Sequence, residues 1–144
     1  MPHARRSIRE AVATALTGLA TTGARVFQSR MRPQEDLPAL LVATGSEGVR
    51  SGGIDTLLER ELDIEVTGVA MSPSGVDDML DAIAEEVEVA MQAAGTLGGL
   101  VSAAPVLTAI RTAFDDSIEQ PVGEVSLVFR CLYFTHAGVP GTTL

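Results

Sequence analysis

The 144-residue chain contains no Trp, no Lys and a single Cys. Without Lys there is neither a lysine Schiff base nor a phosphate-loop ammonium. With Cys131 alone, an intrachain disulfide and a cysteine zinc site are both excluded, which fits folding inside a cell. Aromatic residues make up 3%, too few for a platform that stacks single-stranded nucleic acid. The two histidines, His3 and His136, lie near opposite ends of the chain. A Ser–His–Asp or Cys–His arrangement would therefore have to draw on a terminus. No apolar run approaches the ~20 residues of a membrane span. Arg9, Glu10, Thr14 and Thr17 break up the Ile8–Leu19 stretch, so no signal-peptide core is present either. The expectation is a chain with no membrane contact and no export address.

What is present describes one ordinary globular domain. Hydrophobic residues make up 46% and charged residues 20%, and a chain of this size buries roughly 68–70% of its unfolded surface. The net charge of −9 disfavours a surface that grips phosphates. Its placement is uneven. Residues 1–34 hold six Arg against Glu10 alone, net +5, while residues 35–144 hold four Arg against eighteen acids, net −14. Such asymmetry suggests contact between unlike faces of neighbouring molecules.

Periodicity gives an α+β reading: a mainly antiparallel mixed sheet with two principal helices, 7–20 and 76–94, in a single domain spanning 1–144. Ile8, Val12, Ala15, Leu16 and Leu19 form the first apolar stripe, with Ser7 as expected N-cap and Glu10 completing a capping box. The second helix sets Val76, Leu80, Ile83, Val87 and Met91 on one side, with Ser74 as N-cap and Gly95 as stop. Strands are expected at 24–31, 39–45, 59–71, 106–115 and 124–136, the last two as an antiparallel hairpin. Segments 32–38, 46–56, 96–105 and 116–123 read as loops or turns, and 1–6 and 137–144 as flexible tails.

The stretch 59–71 alternates most cleanly: Leu62, Ile64 and Val66 point one way, and Glu61, Asp63 and Glu65 the other. Three like charges at period two repel one another, to no benefit of the fold. Lining a channel formed by several copies, the same face would repel phosphates and let DNA pass unheld. Other acids cluster as Asp77, Asp78 and Asp81 at a helix start and as Asp115 and Asp116 at a turn. Carboxylates so placed can hold Mg²⁺ or Ca²⁺, but helix starts and turns favour acids for their own sake. No GxSxG elbow, HExxH pair or calcium-loop pattern occurs. Cys131, inside an apolar strand, reads as an inert buried thiol.

The opening helix, GARVFQSRMRPQEDLPALLVATGSE, the strand RELDIEVTGVA, the acidic helix VDDMLDAIAEEVEVAM and the closing EQPVGEVSLVFRCLYFTH occur in that order. Together, over residues 5–136, they resemble the tail-terminator proteins of long-tailed bacteriophages, the group of minor tail protein U, which also occur in phage-derived gene transfer agents. The resemblance implies a virion protein of the neck, assembled in the host cytoplasm. It implies a homo-hexameric ring that caps the tail tube, ends its polymerisation, and docks the head–tail connector or head-completion protein. DNA would pass through the lumen without sequence-specific binding. Neither catalysis nor a cofactor nor a metal is implied. Charge assigns candidate sites: Glu61, Asp63 and Glu65 to the lumen or its rim, and Arg25, Arg30 and Arg32 to contacts with neighbouring subunits or partners. Alternatives are another neck protein (a tail-completion or head-closure factor), a metal-dependent enzyme using Asp77, Asp78 and Asp81, or a binding module whose apolar edge receives a strand.

Overall fold

A computed structural model describes residues 2–28, 37–72, 74–115 and 122–144. In chain order the elements are α1 (Ala4–Ala15), β1 (Val26–Phe27), β2 (Ala39–Ser51), β3 (Leu57–Met71), α2 (Val76–Ala94), β4 (Val106–Asp115) and β5 (Val122–His136). They build one five-stranded sheet in the order β1-β2-β3-β5-β4. β1 runs parallel to β2, and every other pairing is antiparallel. The α+β architecture expected from periodicity is the one observed.

Both helices lie on the same face of the sheet. Ile8, Val12 and Leu16 of α1 and Leu80, Ile83, Val87 and Met91 of α2 share one buried cluster with Leu62, Ile64 and Val66 of β3. Val125, Leu127, Phe129, Cys131 and Tyr133 of β5 complete it. Each large side chain so buried is worth about 1.5–3 kcal/mol, which is why the alternation of β3 and β5 fixes which face is inside. On the opposite face, among the described residues, only a small apolar cluster forms at one end, around Leu41, Val69 and Val122. Beyond it that face mixes charged residues with Val128 and Leu132 of β5, and among the described residues it bears no helix.

Several boundaries differ from the sequence expectation. α1 begins at Ala4 rather than Ser7, because His3 caps it: its Nδ1 accepts the Arg5 amide at 3.1 Å. The helix ends at Ala15 rather than near 20. There the Thr14 and Thr17 hydroxyls bond back to the carbonyls of Glu10 and Ala13, competing with the helical ladder, and Gly18 turns the chain with a φ of +94°. α2 is capped at Gly75, not Ser74; its φ of +77° is a conformation open to glycine. Gly95 stops α2 as expected.

The largest correction concerns 46–56. Rather than a loop, residues 46–51 continue β2, and the turn is confined to 52–56. Gly45 marks a bulge rather than the strand's end, the register against β3 shifting between Thr44 and Glu47, and Gly48 pairs regularly beyond it; only Gly52 and Gly53 belong to the turn. The segments expected as tails meet one another. The Ala4 amide donates to Pro140 O at 2.8 Å, and the Leu144 amide donates to Phe134 O at 3.0 Å. Residues 29–31 of the first expected strand and 116–121 of the expected hairpin turn lie outside the described residues; the remaining two turn positions, 122–123, already belong to β5.

Candidate functional site

The exposed sheet face carries the acids singled out above. Leu62, Ile64 and Val66 are fully buried, so strand geometry turns Glu61, Asp63 and Glu65 to the helix-free side. They do not stand as a bare anionic ladder. Arg130 Nε on β5 lies 3.5 Å from Asp63 Oδ1, directly across the strand pair. From β2, Arg50 Nη2 lies 2.7 Å from Glu59 Oε1 and 4.0 Å from Glu61 Oε1. The Arg50 hydrogen bond holds Glu59 below the usual carboxylate range, and the same bond raises Arg50. Exposed pairs of this kind orient side chains more than they stabilise a fold. Arg111 of β4, opposite Ser126, is exposed on the same side, so among the described residues the face is an acidic surface crossed by three arginines.

The other assigned residues fare differently. Arg25 is half-buried: its Nε donates to Pro38 O at 2.7 Å and its Nη2 to Thr21 O at 3.2 Å, tying the approach to β1 against β2. Arg30, Arg32 and Asp116 lie outside the described residues. Asp77 and Asp78 occupy the first turn of α2, where the helix dipole favours them, and Asp81 stands exposed beyond. Among the described residues, no three His, Cys, Asp or Glu side chains converge as a metal site would require. No described helix is long and apolar enough to cross a membrane.

One polar cluster was not anticipated. Glu47 Oε1 accepts from the Tyr133 hydroxyl at 2.6 Å and from Arg60 Nη1 at 3.0 Å. Arg60 Nε in turn donates to the buried Thr135 hydroxyl at 2.9 Å. The side chains of Glu47 and Arg60 are only 6% and 12% exposed, and Arg5 Nε of α1 approaches Glu47 Oε2 at 3.5 Å. Burial pushes the Tyr133 hydroxyl well up, and its bond to Glu47 adds to the effect. Burial also lowers His3, with the nearby Arg5 charge second. This cluster fastens the start of α1 to the centre of the sheet. Its only sequence signal was a pair of ionisable residues, Glu47 and Arg60, flanking a glycine-rich stretch.

Cys131 is fully buried, and burial moves its thiol from the usual value near 9 up to about 12. A thiol-specific reagent should therefore leave the native chain unmodified at neutral pH and react once it is unfolded. The sign of the linkage is also fixed. Between pH 9 and about 12 the folded state keeps a proton that the unfolded state loses, so stability should fall as pH rises through this window. Urea unfolding at stepped alkaline pH, with Cys131→Ala for comparison, reads the effect.

No protein-family model matches the chain, and no curated protein does. Among solved structures the chain is similar to one from the virion of a native gene transfer agent (GTA) particle. The match has a TM-score of 0.50 at 15% identity, covering 90% of this chain and 90% of that one. The two share a fold.

Proposed function

We propose that the chain is a structural virion protein acting as a tail terminator, a hexameric ring that caps the tail tube. The ring ends tube polymerisation and offers the head–tail connector or head-completion protein its docking surface. The observation that carries this reading is the fold held in common with a gene transfer agent virion chain across nine-tenths of both molecules. Two features of the present chain support it. Among the described residues the sheet has one face without helical cover, as a wall facing a passage requires, and that face carries Glu61, Asp63 and Glu65. A negative wall disfavours phosphate binding, so DNA slides past without being held. The protein works by assembly and geometry, at the neck of the particle, and performs no catalysis.

Electron microscopy of the purified chain mixed with tail tubes tests the assembly role. Hexameric rings on tube ends, with tube growth arrested, are expected; bare ends, or rings of another order, overturn the reading. For the lumen, joint replacement Glu61→Gln, Asp63→Asn and Glu65→Gln should leave tail length unchanged and slow DNA ejection. Unaltered ejection would place the acidic face elsewhere.

A further inference from the structure

On the helix-bearing face, between α2 and β4, runs an open groove of about 470 Å³. Its floor is apolar, formed by Ala84, Val89, Ile110 and Val125, and Asp81, Glu85 and Glu88 line its acidic side. Val89 is 65% exposed and Ile110 45%, an unusual amount of aliphatic surface to leave in water. β4 is the last strand of the sheet, and Ile110, Thr112 and Phe114 stand exposed along it. The acids repel one another: Asp81 and Glu85 are four residues apart on α2, and Glu85 and Glu88 three. Among the described residues no arginine pairs with them.

The complementary surface is on the same chain. α1 carries Arg5, Arg6 and Arg9 in its first turns with no acid in the first turn, against the sign its dipole favours. Arg5 approaches Glu47 at 3.5 Å and Arg6 pairs with Glu10 at 2.8 Å, yet both side chains are about half exposed or more, and Arg9 has Gln28 rather than a carboxylate as its partner. α1 packs over β2, whereas the groove borders β4, with β3 and β5 between them in the sheet. The basic helix and the acidic groove therefore flank opposite sides of the molecule.

We propose that the groove between α2 and β4 receives the arginine face of α1 from a second copy, so that copies join head to tail. Guanidinium groups meet the carboxylates of Asp81, Glu85 and Glu88, while the arginine stems cover Val89 and Ile110. Because the two surfaces differ, the contact is heterologous, and repetition with the right rotation closes a ring. The inference rests on the terminator reading and names the contact that holds its ring.

Two single-cysteine variants, Arg9→Cys and Glu85→Cys, test it, with the buried Cys131 silent in both. Mixed at millimolar concentration under mild oxidation, they should form a 9–85 disulfide dimer, and neither should cross-link alone. Links of 9 to 9 or of 85 to 85, or no 9–85 link, overturn the proposal. Sedimentation velocity supplies a second reading. Glu85→Arg should weaken self-association about tenfold or more, and mixing it with Arg9→Glu should restore association between the two variants. No restoration overturns the proposal. The two hypotheses fail separately: rings on tube ends without the 9–85 link sink this interface alone, whereas the link without tube capping sinks the terminator reading alone.

Discussion

Replacing Glu47 with Ala should destabilise the chain by about 3–5 kcal/mol, the cost of leaving a buried charge without its partner. Removing the carboxylate orphans the Arg60 guanidinium and the Tyr133 hydroxyl together, since both donate to Glu47 Oε1. Thr135 remains as a neutral acceptor for Arg60, too weak to hold a cation that is almost fully enclosed. The companion variant separates charge from packing. Glu47→Leu combined with Arg60→Met should recover the part due to the unpaired charge, because apolar groups of similar volume can replace a buried pair at little cost, while the Tyr133 hydroxyl stays without its acceptor. Urea unfolding of the single and double variants measures both. A loss under about 1 kcal/mol for Glu47→Ala would mean that water satisfies Arg60 there, as at an exposed pair.

Gly68→Val should be nearly as damaging, for a steric reason. A Cβ added at Gly68 would stand 2.5 Å from Ile83 Cγ2 of α2 and 3.2 Å from Val125 Cγ1 of β5. Gly123 on β5 is equally closed, with Leu80 Cδ1 at 2.8 Å and Val76 Cγ2 at 3.0 Å. The two glycines let α2 lie directly on the backbone of β3 and β5. Overpacking of this kind costs about 1–3 kcal/mol and sometimes more. A cycle identifies the clash: in an Ile83→Ala background, already weakened by about 2–5 kcal/mol, Gly68→Ala should become close to neutral. An undiminished cost in that background would show that the strand, rather than the helix contact, requires glycine.

These two positions also mark where sequence pattern informs and where it fails. Leu62, Ile64 and Val66 on β3, and Leu80, Ile83, Val87 and Met91 on α2, are all buried, because burial against one layer imposes the strand and helix periods directly. Glu47 could not be placed this way. The bulge between Thr44 and Glu47 reverses the parity of β2, so an odd-numbered acid that alternation would send to the open face turns inward to meet Arg60 and Tyr133. Gly45, which marks this bulge, stands at the end of the expected strand 39–45, where it reads as a stop. His3 as a cap was hidden for a similar reason: capping depends on where the chain enters the helix, and Ser7 offered a more familiar pattern. β4 was recognisable as a strand from its composition, but its near-complete exposure depends on which strands flank it, and that information is tertiary. The exposed acids of β3 were legible as a face. Their partners Arg50 and Arg130 come from β2 and β5, and only the sheet register brings them across.

The split between the two faces of β3 and β5 has a consequence for how such a chain can change. Along each of these strands one set of alternate residues carries the packing against the helices, and the other set answers only to solvent or to whatever lies opposite. Away from Val69 and Val122, which are buried at one end, substitutions in the second set leave the interior untouched. The charge of the open face can therefore be rewritten, residue by residue, without renegotiating the fold. A scaffold built this way can be refitted to a different companion while its architecture stays fixed, and its sequence is free to drift far before its shape does.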